Sequence, residues 1–247
     1  MNKKTNFSLK TFLKLPFLLL VKIIRYIKIH TNEDQAPKYI YKKYEKENLD
    51  ECYSFFKNHL NKSLLIDQIK DIRLLAINKA VKLNTEDGFF LEFGVFDGES
   101  INLFSKKINN KLIYGFDSFR GLKDDWTGHN LPSGHFDMKG KIPTLEKNVK
   151  PVIGWVQDTL PKFIKDEKVS KVNFVHMDLD TYESTKFVLM ELKKYLSKNS
   201  IIIFDQLYNY PGWKEGEFKA LTEVFQENEY DYIAFGKFSK QVVIKIK

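Results

Sequence analysis

Three aspartates stand just past two apolar runs. His176-Met-Asp178-Leu-Asp180-Thr-Tyr182-Glu-Ser-Thr185 overlaps and follows one run, residues 172–177. Asp205-Gln206 follows another, residues 200–204. If the runs are neighbouring strands, three carboxylates converge in one mouth. Like charges that close need a cation, a shared proton or a substrate proton to relieve them. A hard divalent ion held by oxygen ligands is the natural answer. His176 lies inside the run, where a packed core histidine is the commoner outcome. His129 and His135 stand in a loop with little to recommend either.

A second set of residues suits a nucleoside. Glu92-Phe-Gly94-Val-Phe-Asp97-Gly98-Glu-Ser100 closes an apolar run with small and polar residues. Glycines let backbone approach a ligand closely. The spacing is Gly-x-x-x-Gly, not the Gly-x-Gly-x-x-Gly of a pyrophosphate cradle, and no Gly-Lys-Ser/Thr of a phosphate loop follows. A nucleoside without a diphosphate fits better; a tight strand–helix turn explains the same residues without a ligand. Asp117 ends the next run, where a carboxylate can accept both ribose hydroxyls. Asp158, in Gly154-Trp-Val-Gln-Asp158-Thr-Leu-Pro161, either accepts from an adenine amino group or caps the helix that follows.

These residues need elements to hold them. Short apolar strands are expected at 89–95, 111–116, 151–156, 172–177, 200–204, 230–235 and 241–246. Helices are expected over 99–107, 182–196 and 217–226. Strands alternating with helices indicate a doubly wound, mostly parallel α/β sheet of seven strands with helices on both faces. The last two strands, with no helix between them, predict an antiparallel terminal strand. Ligands then sit beyond the carboxyl ends of the strands. The polar stretch 118–148 interrupts the alternation and is expected to act as a lid or substrate loop. Within it Trp126, and after the fifth strand Trp213, either stack on an acceptor ring or pack. Residues 31–59 read as a linker with a short helix. Leu65, Ile69, Ile72, Ala76, Ala80 and Leu83 mark an amphipathic helix over 60–83. The expected organisation is a basic segment 1–30, a helical extension 31–87 and a cofactor domain 88–247.

The net charge of +8 comes from 40 basic and 32 acidic residues. Residues 1–30 carry seven basic and no acidic side chains, so the excess belongs to the tail. A nucleic-acid enzyme would spread a basic face over its folded domain, so nucleic acid is not the expected substrate. Lys10, Lys14, Lys22, Arg25 and Lys28 fall within an arc of about 120° on a helix of 100° per residue. That suits peripheral contact of residues 7–29 with a membrane interface, and equally a helix docked on the body or on a second subunit of a homo-oligomer. Pro16 would kink or restart it. No small-residue cleavage site follows the apolar stretch, which argues against a signal peptide. The longest apolar runs are too short for a simple transmembrane helix. One cysteine, Cys52, excludes an internal disulfide framework and a Cys-based zinc site. The expected location is the cytoplasm, extended to the inner face of the membrane if the tail is interfacial.

EFGVFDGES, GFDSFRGL, a Gly-x-x-x-Asp-Thr-Leu-Pro run, HMDLDTYEST and IIIFDQ, in that order, resemble the macrocin O-methyltransferase family. The resemblance spans about residues 88–235. It implies the class I methyltransferase fold, S-adenosylmethionine as cofactor, and O-methylation of a sugar or other small hydroxylated acceptor of natural-product or glycan type. By resemblance, Glu92, Gly94 and Ser100 line the methionine part of the cofactor, Asp117 binds the ribose, Ser118 lies near the adenine and Asp158 beside its amine. The resemblance also implies Asp178 as general base and metal ligand, Asp205 as second ligand to Mg2+ and the Gln206 amide oxygen at the third position. Family members that bind magnesium usually continue with an acidic residue after Asp205, where this chain has Gln206. The segment NYPGWKEGEFKAL also departs from the antibiotic enzymes. An NAD-dependent oxidoreductase is the alternative enzyme class, disfavoured by the missing glycine pattern and the lack of a Tyr-x-x-x-Lys pair. A non-catalytic interaction protein on the same fold is the third reading.

Overall fold

The computed structural model describes residues 20–23, 40–84, 86–108, 111–126 and 131–247. The expectations for the basic tail and for His129 fall outside these residues, save for 20–23. The chain divides into two compact units, Met1–Tyr44 and Glu45–Lys247, and the second carries every strand. In chain order the elements are α1 (Ile40–Leu60), β1 (Leu64–Ile66), α2 (Ile69–Leu83), β2 (Phe89–Phe93), α3 (Glu99–Ser105), β3 (Ile113–Asp117) and β4 (Val149–Ile153). They continue with α4 (Val156–Asp166), β5 (Val172–Met177), α5 (Tyr182–Leu192), β6 (Leu196–Phe204), α6 (Glu217–Val224), β7 (Tyr230–Gly236) and β8 (Val242–Ile246).

The sheet runs β1-β7-β8-β6-β5-β2-β3-β4. All neighbours pair in parallel except β8, which lies antiparallel between β6 and β7. The expected seven strands are joined by an eighth. The periodicity over 60–83 predicts one helix, but the helix begins only at Ile69, and Leu64–Ile66 pairs with Ala234–Gly236. The edge of β7 offers unpaired backbone groups, and the short strand takes them up. The Ser63 hydroxyl donates to the Tyr232 carbonyl 3.0 Å away and anchors the approach.

Strand alternation sorts the side chains into two layers. Leu91, Phe93, Val175, Met177, Ile202 and Phe204 face α4, α5 and α6, and meet Cys52 and Phe56 of α1. Phe90, Phe174, Ile201 and Ile203 face the other way, against Ile72, Ala76, Ile77 and Ala80 of α2 and Ile101 and Phe104 of α3. Phe56 is fully buried, with its ring 5.4–5.7 Å from those of Trp213, Tyr208, Tyr232, Phe235 and Phe218. Both faces are thus covered, as a largely parallel sheet requires.

Candidate active site

A cavity of about 380 Å³ opens at the carboxyl ends of the central strands. It lies where the connections from β2 run to β3 on one side and the sheet continues to β5 on the other, the switch point at which such sheets bind ligands. Residues 94–97, Asp117 and Ser118, 154–157, 178–181, and Asp205 and Gln206 form its wall.

The first turn is built by close backbone approach. Gly94 has φ +88°, and a Cβ there would lie 1.8 Å from the carbonyl oxygen of Asp178. Only glycine lets β2 and β5 end this close together. Phe96 is held at φ +48°, a conformation a bulky residue rarely adopts. Asp117 holds it. One carboxylate oxygen accepts from the backbone N–H groups of Val95 and Phe96, both at 2.8 Å, and the other from Phe119 at 2.7 Å. A carboxylate has about four acceptor positions. Three are taken here, so Asp117 has room for one ribose hydroxyl, not the two expected of it, while the loops stay as they are.

Beneath the cavity floor runs a row of polar side chains on one sheet face. Glu92 and His176 are register partners on β2 and β5, and Ile203 of β6 pairs with His176. Two residues past Ile203, alternation brings Asp205 to the same face. Phe204 pairs with Val242, which sets Gln241 opposite Asp205. Helix α2 covers this face and contributes Arg73. The Arg73 guanidinium donates to Asp205 Oδ1 at 3.2 Å, and the Gln241 amide donates to the same oxygen. The Gln206 amide donates to Oδ2 at 3.2 Å. His176 lies 3.5 Å from Glu92 and 3.8 Å from Asp205, and Ser100 donates its hydroxyl proton to Glu92.

These surroundings set the protonation states. Burial opposes charge on His176, but Glu92, Asp205 and Asp178 outweigh it and raise its pKa to about 9. Burial tends to raise Asp205, yet His176, Arg73 and Gln241 hold it below the usual carboxylate range. Asp178 goes the other way, pushed well up by burial and by Asp205. Burial also raises Asp180 to about 7, against the pull of a Gln206 hydrogen bond and of Lys240. Glu217, buried behind them, is raised well above its ordinary value by burial, although it accepts from the Gln206 backbone N–H at 2.8 Å.

The structure therefore brings Gly94, Ser100, Asp117, Ser118, Asp178, Asp205 and Gln206 to one cavity wall. Two residues assigned by resemblance stand elsewhere. Glu92 is fully buried below the floor because strand alternation turns it towards α3 and His176. Asp158 is exposed on the first turn of α4, and its neighbour Gln157 lines the cavity instead. Trp213 cannot stack on an acceptor: it is fully buried among Phe56 and Phe218, and its indole N–H donates to the Asn48 carbonyl at 3.2 Å. Trp126 lines a second cavity of about 220 Å³ with Tyr182 and Tyr210, and this cavity shares Asp180 and Thr181 with the first. From the polar insertion, Gly121, Leu122, Lys123 and Phe136 reach the main cavity. Phe136 meets Phe96 edge to face at 5.3 Å. Arg73 and Asp180 are the site residues to which sequence reasoning gave no role of their own. The available signal for Arg73 was a charge four residues after Ile69 and three before Ala76, inside the apolar stripe of α2.

The donor set does not fit a hard divalent ion. Among the described residues, His176, Asp178 and Asp205 bring ligand atoms within 4.8 Å of one another. Magnesium demands oxygen ligands in octahedral array, and the imidazole of this set is held protonated, which leaves Asp178 and Asp205 as its oxygen donors. Asp205 is already engaged by Arg73, Gln241 and Gln206. The Arg73 guanidinium on Asp205 Oδ1 would repel an ion bound to that carboxylate. A nucleoside-bearing ligand does fit the cavity, with its glycine turn, its polar lining at 117–118 and the half-buried Trp155 and Gln157.

Fold and site together define a class I methyltransferase architecture. Residues 91–207 match the family model described as a methyltransferase domain, Methyltransf_24. The structure is similar to that of CalS11, calicheamicin methyltransferase, with a TM-score of 0.59 and 20% identity, over 99% of this chain and 94% of that one. It is also similar to the O-methyltransferase NovP, with a TM-score of 0.50 and 22% identity, over 72% of this chain and 80% of that one. No curated protein matches the sequence. Among the described residues, no helix is long and apolar enough to cross a membrane.

Proposed function

We propose that the protein is an S-adenosylmethionine-dependent methyltransferase acting on a hydroxyl of a sugar or another small hydroxylated acceptor. The observation that carries this reading is the meeting of two cavities at Asp180. The larger has the glycine turn and the Asp117 and Ser118 wall suited to a nucleoside. The smaller is lined by Trp126, Tyr182 and Tyr210, over whose rings Lys240 and Lys219 lie, and by Asp125, Glu183 and Lys219, a mixed aromatic and polar lining suited to a hydroxylated ring. CalS11 is a TDP-rhamnose 3'-O-methyltransferase, and the similarity of its apo structure to this chain (TM-score 0.52, 22% identity) lends support to a sugar hydroxyl.

The bound cofactor supplies an electrophilic methyl group on a sulfonium. The chain's residues align the acceptor behind that carbon, an effect worth ~7–11 kcal/mol when geometry is good. Asp180 stands at the junction of the two cavities and, on this reading, would take the proton of the acceptor hydroxyl. Burial brings Asp180 to about 7, near the optimum for a general base at neutral pH. Asp178, the base implied by resemblance, is raised well above its ordinary value by burial and by Asp205, and on this reading it orients the acceptor. Phe96 and Phe136 line the cavity and meet edge to face, an apolar rim beside the proposed acceptor.

Calorimetric titration with S-adenosylmethionine and S-adenosylhomocysteine tests the reading. Saturable binding that survives Asp180→Asn, while turnover in an acceptor screen is lost, is the expected result. Absence of binding by the wild-type protein would refute it.

A further inference from the structure

We infer that Arg73 is a built-in counter-ion for the acidic cluster, standing in for a divalent metal, so that the protein works without Mg2+. The functional half of this inference rests on the methyltransferase reading; the claim about ion binding does not. Three or more carboxylates crowd the carboxyl ends of β5 and β6, and such a group needs positive charge close by. The fold supplies it from α2, where Arg73 lies 132 residues before Asp205 in the sequence. The Arg73 side chain is only 13% exposed and reaches the cavity wall. Its guanidinium grips Asp205 Oδ1, the same oxygen that Gln241 also binds.

Gln206 completes the exclusion. Its amide nitrogen faces Asp205 Oδ2, so a position that could donate an oxygen to a metal presents a donor to a carboxylate. Its amide oxygen is buried with no partner. Turning the amide round would point the oxygen at Asp205 and set two acceptors against each other. Both acceptor positions of Asp205 Oδ1 are thus taken, by Arg73 and Gln241, and one of the two on Oδ2 is taken by Gln206. Arg73 acts here as a positioning residue: it fixes Asp205 and thereby the shape of the junction with Asp178 and Asp180.

The test is Mg2+ titration of the full-length protein by calorimetry, with Mn2+ and its paramagnetic resonance signal as a second probe. Wild type is expected to show no saturable binding of either ion, and no rise in melting temperature with Mg2+ over EDTA. Its S-adenosylhomocysteine affinity should agree within about twofold in Mg2+ and in EDTA. The double variant Arg73→Gln/Gln206→Asp is expected to acquire saturable binding of both ions and a Mg2+-dependent rise in melting temperature. Gln206→Asp alone, which keeps the guanidinium, serves if the double variant does not fold, and should gain weaker binding. Saturable Mg2+ binding by wild type that Asp205→Asn abolishes overturns the inference. Folded variants that still ignore both ions overturn the assignment of Arg73 and Gln206 as the excluding groups. Loss of S-adenosylhomocysteine binding by wild type in both buffers strikes at the methyltransferase reading and leaves the ion result standing.

Discussion

Asp117→Ala separates two roles that binding data alone would confuse. In the structure this carboxylate ties three backbone N–H groups from two loops, Val95 and Phe96 after β2 and Phe119 after β3. A hydrogen bond to a charged group contributes about 1.5–3 kcal/mol. The Phe96 bond lies at the exposed side, where water replaces part of it. Removing all three should therefore cost about 2–3 kcal/mol, less than their sum. For a chain of this size that lowers the melting temperature by about 4–12 °C. Asp117→Asn keeps one oxygen for Val95 and Phe96 but turns an amide N–H2 towards the Phe119 N–H. It should lose roughly half as much stability. Thermal melts and denaturant titrations of both variants measure this, with S-adenosylhomocysteine calorimetry alongside. Both variants should bind more weakly, because residues 94–97 form part of the cavity wall. An Asp117→Ala protein as stable as wild type would refute the loop-stitching role and leave Asp117 as a ligand contact only.

Three other outcomes follow from the same geometry. Gly94→Ala should be destabilised by more than about 2 kcal/mol and lose cofactor binding, since its Cβ meets the Asp178 carbonyl and its φ is left-handed; a denaturant midpoint near that of wild type would contradict this. Phe56→Ala removes the ring on which α1 is seated and should lower unfolding free energy by about 3–5 kcal/mol with an unchanged Mg2+ response. We also propose that residues 7–29 bind anionic membranes: deleting residues 1–30 should abolish liposome co-sedimentation and leave S-adenosylhomocysteine affinity intact, and undiminished sedimentation would sink the idea.

Much of the sheet was legible because its strands are short, apolar and separated by helical periods. The runs at 89–95, 172–177 and 200–204 needed no tertiary information to read as buried strands, although the first strand ends at Phe93. Their polar ends then located the cavity, since an open α/β sheet binds ligands there. Residues 64–66 were not legible. Leu64 and Leu65 fit a helical stripe as well as a strand, and only the open edge of β7 decides between them. Trp213 and Trp126 look alike in sequence, yet one packs on Phe56 and the other lines a cavity. What separates them is where α1 sits, a contact between segments far apart in the chain.

The charge problem shows the same limit more sharply. The spacing of Asp178, Asp180 and Asp205 demands compensation, and sequence alone leaves its source open. A metal, a proton and a distant side chain all satisfy the demand equally well on paper. The structure uses two of them. Burial raises Asp178, Asp180 and Glu217, which favours protons on these groups. Asp205 stays charged because His176 and Arg73 face it. That division has a consequence for catalysis. On the proposed methyltransferase reading, Asp205 with its fixed cation would give an oriented field at the junction, while Asp180 would remain able to take a proton. A divalent ion would hold the whole cluster ionised, whereas an amide at Gln206 suits a cluster whose cation is Arg73. Replacing Arg73 by Gln and Gln206 by Asp together should move the cluster towards metal dependence.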